Sequence, residues 1–185
     1  MESIHSYLQT EAKLLALIQT DLVDGAVETL ERARAERRRV LLFGNGGSAA
    51  TASHFACDLG KGTVRPHLPR FKVIALNDNV PTLSAYANDV GYERIFAEPL
   101  ITLAEPSDIA IGFSGSGNSP NVLRAMEEAQ KLGLVTIGFT GFEGGGLKDR
   151  VQLHINVPSK QMEQIEDVHL ALTHAICVML KIRHE

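Results

Sequence analysis

The stretch 41–58 constrains the fold more than any other part of the chain. Residues 39–43 form a short apolar run typical of a buried strand, and the glycine-rich segment 44–47 cannot continue it. Ser48 is a good N-cap, so we expect a helix to begin there and to run towards Leu59. A strand that ends in glycines and leads into a helix lets backbone N–H groups approach an anion such as phosphate. The sequence therefore predicts a ligand site at this junction.

The same predicted helix carries a histidine and a carboxylate four residues apart. His54 and Asp58 would project from one face of that helix, because residues at i and i+4 are neighbours there. A lone helical histidine is more often a hydrogen-bonded core residue than a catalyst. The pair therefore indicates a site only if other functional groups accompany it.

Length and composition predict one soluble globular domain. The chain has 185 residues, of which 44% are hydrophobic and 22% charged, and its formal net charge is −4. Its cations form no basic stripe, so we expect no nucleic-acid partner. No run approaches the ~18 apolar residues of a membrane span and the start lacks a signal peptide, which predicts a cytoplasmic protein without a membrane partner. Cys57 and Cys177 match no paired spacing and are expected to be buried, reduced thiols.

Alternating strand and helix patterns after residue 38 predict an α/β fold. Five apolar runs have the length and flanks of buried strands, namely 39–43, 71–76, 108–113, 134–139 and 153–157. Helical patterns separate them, and a last helix is expected over 161–183. Such alternation is typical of a parallel sheet that helices cover on both faces, with ligands bound beyond the carboxyl ends of the strands.

The first 38 residues have apolar positions at helical spacing and predict two helices, with a break near Asp24 and Gly25. We expect these helices to belong to the same domain as residues 39–185. Apolar residues lie on more than one face of the first helix, which is typical of packing against another subunit. A simple cover within one chain explains the pattern equally well.

A second strand-to-helix junction resembles the first. The serine-rich loop 114–119 follows the third predicted strand and offers hydroxyls and backbone N–H groups without a bulky side chain, which suits a phosphate. It lacks the lysine of a Walker A loop and the dinucleotide glycine pattern, so it favours a phosphate monoester without nucleotide hydrolysis. An ordinary N-capped turn is the competing interpretation. Two such loops facing one crevice would form a single polar pocket.

Further polar side chains interrupt the apolar pattern of the last predicted helix. Glu166 and His174 are slightly over two turns apart, so their long side chains can converge. Imidazoles and carboxylates from two helices could hold a divalent metal ion, or could act as an acid/base pair that moves a proton between adjacent carbons. Both interpretations are open at this point. Asn88 and Asp89 either cap a turn or contact substrate hydroxyls.

Taken in order, these motifs resemble those of the sugar isomerase (SIS) domain family, and within it the phosphoheptose isomerase branch. The resemblance extends over nearly the whole chain and rests on Gly44-Asn45-Gly46-Gly47-Ser48, His54-Phe55-Ala56, Asn88-Asp89, Ser114-Gly115-Ser116-Gly117-Asn118-Ser119 and the segment 168–174. It implies a flavodoxin-like three-layer sandwich around a five-stranded parallel sheet, with 39–185 as the SIS domain and 1–38 as extra, oligomerising helices. It also implies a homotetramer with active sites where subunits meet.

By position, the resemblance implies a role for each motif. The phosphate falls to the serine loop, and the sugar hydroxyls fall to the first loop and to the segment 88–89. The residues so implied for substrate binding are Asn45, Gly46, Gly47, Ser48, Asp58, Asn88, Asp89, Ser114, Gly115, Ser116, Ser119 and Glu166. One zinc ion per subunit is implied on His54, Asp58, Glu166 and His174, and the implied catalytic residues are Asp58, Glu166 and His174.

Two of these positions depart from the residues that the family usually has. Asp58 stands where glutamate is typical, and Glu166 stands where glutamine is typical. Aspartate is one methylene shorter, so a base there falls short by about 1.5 Å unless the helix moves. Glu166 adds a carboxylate on the opposite wall, so the two changes together would keep a zinc site of two imidazoles and two carboxylates.

The resemblance implies an aldose–ketose isomerase that converts sedoheptulose 7-phosphate to D-glycero-D-manno-heptose 7-phosphate, towards the ADP- or GDP-heptose precursors of bacterial lipopolysaccharide. Asp58 or Glu166 would take a proton from carbon, and His174 would move a proton between the oxygens of an enediol. Two alternatives are kept. One is a non-catalytic relative that binds sugar phosphates or serves as a replication-initiation adaptor, against which the retained His54 and His174 argue. The other is an isomerase of another sugar phosphate.

Overall fold

Five parallel strands form the predicted sheet in the computed structural model, which describes residues 3–183. The strands are β1 (Arg39–Gly44), β2 (Lys72–Ala75), β3 (Ile109–Ser114), β4 (Val135–Thr140) and β5 (Leu153–Asn156). Their order across the sheet is β2-β1-β3-β4-β5, and every pairing is parallel. The strand order therefore reverses between β1 and β3, as in other doubly wound sheets. The predicted fold class and all five predicted strands are confirmed.

Helices precede and connect the strands. They are α1 (Ile4–Ala16), α2 (Thr20–Ala35), α3 (Gly46–Cys57), α4 (Val80–Asp89), α5 (Ala97–Leu103), α6 (Pro120–Lys131) and α7 (Met162–Ile182). A π-helical turn, Asp58–Gly62, follows α3 directly, and 3₁₀ turns lie at Tyr92–Arg94 and Gly145–Arg150. No helix among residues 3–183 combines the length and the apolar character needed to cross a membrane.

The sheet separates two hydrophobic clusters, and β1 contributes to both because its side chains alternate between the faces. Leu42 packs on one face with α2, α3 and α7, where Phe55 of α3 is fully buried. Leu41 and Phe43 pack on the other face with α5 and α6, where Phe43 stacks on Phe96 at 5.5 Å between ring centroids. Burial of each such side chain contributes about 1.5–3 kcal/mol. The two clusters fix the positions of α3, α6 and α7 relative to the carboxyl edge of the sheet.

The predicted break between the first two helices was wrong. The chain leaves helical structure between α1 and α2 at residues 17–19, and both Asp24 and Gly25 lie inside α2. A Cβ on Gly25 would lie 3.5 Å from Cδ1 of Leu153. A methyl group would fit there at ordinary van der Waals distance, so Gly25 neither ends a helix nor is required by the packing of α2 on β5.

Two further predictions about the first junction were wrong. The N-cap of α3 is Asn45, and Ser48 is buried inside the first turn. The helix begins earlier than expected because Gly46 adopts a φ of +54°, which turns the chain sharply after the strand. Cys57 is exposed at the end of α3, whereas Cys177 is buried as predicted.

Candidate active site

The carboxyl ends of β1 and β3 lie side by side where the strand order reverses. Gly44 at the end of β1 pairs with Phe113 of β3. Asn45 then leads into α3, whose first residues are Gly46 and Gly47, and the serine loop 114–119 leads into α6. In doubly wound sheets, the crevice at such a position is the usual site of ligand binding. Both predicted polar loops therefore open at one crevice.

A reciprocal pair of amide hydrogen bonds joins the starts of α3 and α6. Asn45 Nδ2 donates to Asn121 Oδ1 and Asn121 Nδ2 donates to Asn45 Oδ1, both at 2.8 Å. The hydroxyl of Tyr92 also donates to Asn45 Oδ1, at 3.2 Å. We did not single out Asn121 or Tyr92 from the sequence. The available signal was a polar residue on the inner face of α6, next to the apolar Val122.

Hydrogen bonds between its own residues hold the serine loop in a compact turn. Ser114 Oγ and Ser119 Oγ lie 3.0 Å apart, and the Gly117 N–H donates to the Ser114 carbonyl at 2.8 Å. Ser116 Oγ accepts a bond from the Asn118 N–H at 3.2 Å. Ser119 is the N-cap of α6, so the paired hydroxyls lie at the positive end of that helix dipole. The loop thus has the donors and the electrostatics that a phosphate needs.

The glycine-rich segment 141–146 supports the serine loop from behind. The Gly141 N–H donates to the Gly115 carbonyl at 2.8 Å. Gly117 has a φ of +67°, and a Cβ there would lie 2.0 Å from the carbonyl oxygen of Gly144. Only glycine fits at position 117, since any side chain would collide with backbone that cannot move aside alone.

Packing of α3 against α7 brings together three of the predicted site residues. His54 Nε2 and His174 Nε2 lie 3.1 Å apart, and each lies 3.6 Å from Oδ2 of Asp58. The two imidazoles are 48% exposed and the Asp58 side chain is 30% exposed, so a ligand can reach all three. Asp58 begins the π-helical turn, a local widening of the helix that frequently occurs at functional sites.

The geometry of these three side chains fits a metal ion. Their ligand atoms all lie within 4.8 Å of one another. A point equidistant from the two imidazole nitrogens and the carboxylate oxygen lies about 2 Å from each, close to the ~2.0–2.2 Å at which divalent ions bind such atoms. Three protein ligands leave a further coordination position for water or substrate.

Glu166 lies apart from this cluster, over the first loop. A Cβ on Gly47 would lie 2.1 Å from Oε2 of Glu166, so the carboxylate occupies the space that a side chain at 47 would fill. Eight residues of α7, about 12 Å along its axis, separate Glu166 from His174. Burial raises the pKa of Glu166, and the carboxylates of Glu163 and Asp167 raise it further. The four predicted metal ligands are thus arranged as three together and one apart.

Asn88 and Asp89 are exposed at the end of α4, where Asn88 Nδ2 donates to Asp89 Oδ1 at 2.7 Å. They do not begin a helix. The hydroxyl of Tyr92, three residues further along, connects this segment to Asn45 of the first loop.

Comparison with known proteins gives a consistent result. Residues 6–141 match the family model of the SIS domain. The chain is 34% identical to the probable phosphoheptose isomerase of Thermoplasma acidophilum over 94% of its length and 95% of the relative. It is 38% identical to the phosphoheptose isomerase of Aliarcobacter butzleri, with 95% and 92% covered. The solved structure of a phosphoheptose isomerase from Francisella tularensis matches with a TM-score of 0.89 at 30% identity, over 97% of this chain and 96% of that one.

Proposed function

The chain belongs to the SIS domain family, and we propose that it is an aldose–ketose isomerase that converts sedoheptulose 7-phosphate to D-glycero-D-manno-heptose 7-phosphate. Relatives that match along nearly their whole length are named phosphoheptose isomerases. The observation that carries the proposal is the cluster of His54, Asp58 and His174. Its residue His54 lies on α3, the helix that starts at the crevice beside the serine loop. Acid/base groups and a phosphate-type loop are the two parts that such a reaction needs.

The separation of these two parts supports a long sugar phosphate. Gly46 at the crevice and His54 in the cluster are eight residues apart on α3, which corresponds to about 12 Å. An extended covalent chain advances about 1.2 Å per bond, so the eight bonds from C1 to phosphorus in a heptose 7-phosphate span about 10 Å. The two lengths are similar, so a seven-carbon sugar phosphate that starts at the crevice can extend along α3 to the cluster.

We assign the proton transfers to Asp58 and His174. Isomerisation moves one hydrogen from C1 to C2 and one proton from O1 to O2 through an enediol, with no external oxidant or reductant. Asp58 directs Oδ2 to the two imidazoles, which leaves Oδ1 to take the proton from C1 and return it to C2. His174 moves the proton between the oxygens through the ring nitrogen that does not hold the metal ion. Glu166, over Gly47, lies where the middle of the sugar would pass and is assigned to its hydroxyls.

We further propose one zinc ion per subunit on His54, Asp58 and His174, since zinc binds imidazole and carboxylate together and readily keeps an open position. A bound ion would polarise the sugar's oxygens as a Lewis acid. The position of the Glu166 carboxylate over Gly47 favours substrate contact over metal binding for that residue.

A homotetramer is part of the same proposal. The N-terminal helix and its end expose large apolar side chains, with exposed fractions between 44% and 79%, at Ile4, Leu8, Leu15 and Leu17. Exposed apolar positions on one element are typical of a surface that packs against another subunit.

The test is incubation of the purified protein with sedoheptulose 7-phosphate, with and without zinc, while the aldose is monitored. A panel of five- and six-carbon ketose phosphates distinguishes an isomerase of another sugar. Binding without turnover of any of them would indicate a sugar-phosphate sensor instead. The retained cluster disfavours that alternative.

A further inference from the structure

We propose that Asn121 and Tyr92 are positioning residues that fix the distance between the sugar-hydroxyl loop and the phosphate loop. By holding that distance, they would help the site to select a sugar phosphate by its length. This inference rests on the proposed function. We call Asn45, Asn121 and Tyr92 the amide clamp.

The side-chain amide of Asn121 is buried and forms three hydrogen bonds. It is 1% exposed, and its Oδ1 accepts from Asn45 Nδ2 at 2.8 Å and from the Val122 N–H at 3.0 Å. Its Nδ2 donates to Asn45 Oδ1 at 2.8 Å. Two parallel bonds between planar amides fix orientation as well as distance. Because Asn121 directly follows the start of α6, the pair ties the end of the serine loop to the first loop.

The side chain of Asn45 forms this pair and does not cap α3. Asn45 is the N-cap of α3 with extended backbone angles, yet its side chain makes no capping hydrogen bond. An asparagine at this position usually accepts a bond from an N–H in the first turn. Since Asn45 is turned towards α6, the first N–H groups of α3 are left for a ligand. The clamp thus frees donors at the crevice while it sets the crevice width.

Tyr92, which follows the predicted substrate segment 88–89, also contacts Asn45. Its hydroxyl and Asn121 Nδ2 both donate to Asn45 Oδ1, so the orientation of the Asn45 amide is determined by two donors. Tyr92 lies three residues after Asp89, at the start of the 3₁₀ turn that follows α4. Contacts of one asparagine therefore connect the first loop to the turn that follows the segment 88–89 and to the helix start that follows the serine loop.

This connection predicts a distinct pattern of binding. Inorganic phosphate needs only the serine loop, whereas a sugar phosphate must reach both loops at once. Loss of the clamp should therefore weaken the longer ligand selectively. A misplacement of about 1 Å can cost roughly 100-fold in rate, so an effect of roughly 10- to 100-fold on kcat/KM is expected.

The informative variant is Asn121→Asp, which keeps the shape and the acceptor oxygen but removes the donor to Asn45. The added negative charge would weaken the binding of every phosphate ligand, so the informative quantity is the affinity for the heptose phosphate relative to that for inorganic phosphate. Glu127→Gln is the matched control, since it makes the reverse change on the same helix and breaks an ion pair with Arg150 instead. Tyr92→Phe tests the clamp by removing one hydroxyl, and it serves alone if Asn121→Asp does not fold.

The experiment measures binding of inorganic phosphate and of sedoheptulose 7-phosphate by calorimetry, together with kcat/KM for five-, six- and seven-carbon ketose phosphates. In Asn121→Asp we expect roughly 10-fold or greater loss for the heptose phosphate relative to inorganic phosphate, and a smaller relative loss for the shorter sugars. Glu127→Gln should leave unchanged the ratios of affinity and of kcat/KM between these ligands. Equal losses for phosphate and sugar, or unchanged ratios in both clamp variants, would overturn the inference. If the wild type turns over no sugar phosphate, the proposed function fails, and the two calorimetric affinities still decide the clamp.

Discussion

The Nε2 atoms of His54 and His174 lie 3.1 Å apart, although 120 positions separate the two residues in the chain. Two protonated imidazoles would repel at this distance, whereas a shared proton or a cation between them is favourable. Asp58, at 3.6 Å from both nitrogens, adds the negative charge that a cation needs. The arrangement is therefore suited to a metal ion or a mobile proton, which are the two roles expected of an isomerase site.

Zinc binding tests the metal role directly. We expect the wild type to bind one zinc ion per chain. The affinity of His174→Gln for zinc should be about 100-fold or more lower, because loss of a ligand should cost at least as much as loss of the residues that support it. Competition with a chelating dye measures the affinity. His67→Gln is the control, since His67 is an exposed histidine on a loop. Equal affinity in His174→Gln and wild type would contradict the metal site.

The serine loop should act on the phosphate. Ser119→Ala removes a hydroxyl that lies 3.0 Å from Ser114 Oγ. A hydrogen bond to a charged group contributes about 1.5–3 kcal/mol, so inorganic phosphate should bind roughly 10- to 100-fold more weakly. Calorimetry with phosphate measures this. Ser84→Ala, an exposed serine on α4, should leave the affinity unchanged; a loss in that variant, or none in Ser119→Ala, would count against the assignment.

Alanine substitutions at two glycines distinguish the contact between the serine loop and the segment 141–146 from the cost of a positive φ. Gly117 and Gly133 both have positive φ, +67° and +76°. A Cβ at 117 would lie 2.0 Å from the Gly144 carbonyl oxygen, whereas the nearest atom to a Cβ at 133 is 3.9 Å away. Gly133→Ala should cost about 1–2 kcal/mol of unfolding free energy with phosphate binding intact. Gly117→Ala should cost more and should weaken phosphate binding. Equal stability and affinity in the two variants would refute the role of this contact.

His169 should make stability depend on pH. It is buried between Phe113 and Phe139, and its Nε2–H donates to the Thr140 carbonyl at 3.0 Å. Burial lowers its pKa to about 4. Because the unfolded chain binds this proton near pH 6.5 and the folded chain does not, stability is present above pH 6.5 and is lost as the pH falls towards 4.

The measurement is urea unfolding of wild type and His169→Gln between pH 7.5 and 4.5. The difference between their free energies of unfolding should change by up to about 3 kcal/mol, in the direction that favours the variant at low pH. Glu11 and Glu166, whose raised pKa values act in the opposite direction, are present in both proteins and cancel. A difference that does not vary with pH would show that His169 does not titrate as described.

The sheet could be predicted because strands buried on both faces are continuous apolar runs, and Leu41, Leu42 and Phe43 belong to such a run. The pairing of His54 with Asp58 also followed from local helix geometry. The arrangement of Glu166 did not. Helical periodicity gives its angular position on α7, but the packing of α3 beside α7 determines that Glu166 meets Gly47 while His174 meets His54.

Asn45 illustrates the same limit. Its position before a helix predicts a local role, but its side chain bonds to Asn121, 76 positions away, because β1 and β3 are neighbours in the sheet. Gly25 is a further case, since the glycine that we expected near a helix end lies inside α2, where that helix packs on β5. Local rules fail where a tertiary contact makes a competing demand on the same residue.

Turnover of sedoheptulose 7-phosphate by Asp58→Ala, compared with wild type by NMR in the presence of zinc, tests the central claim most directly. Wild type should form the aldose, and Asp58→Ala should be slower by roughly 10²- to 10⁴-fold, as expected for loss of a general base. The variant should keep the wild-type unfolding temperature and the wild-type affinity for phosphate. Asp21→Ala, an exposed residue at the start of α2, should turn over like wild type. Unchanged turnover in Asp58→Ala, or no aldose from the zinc-loaded wild type, would contradict the account.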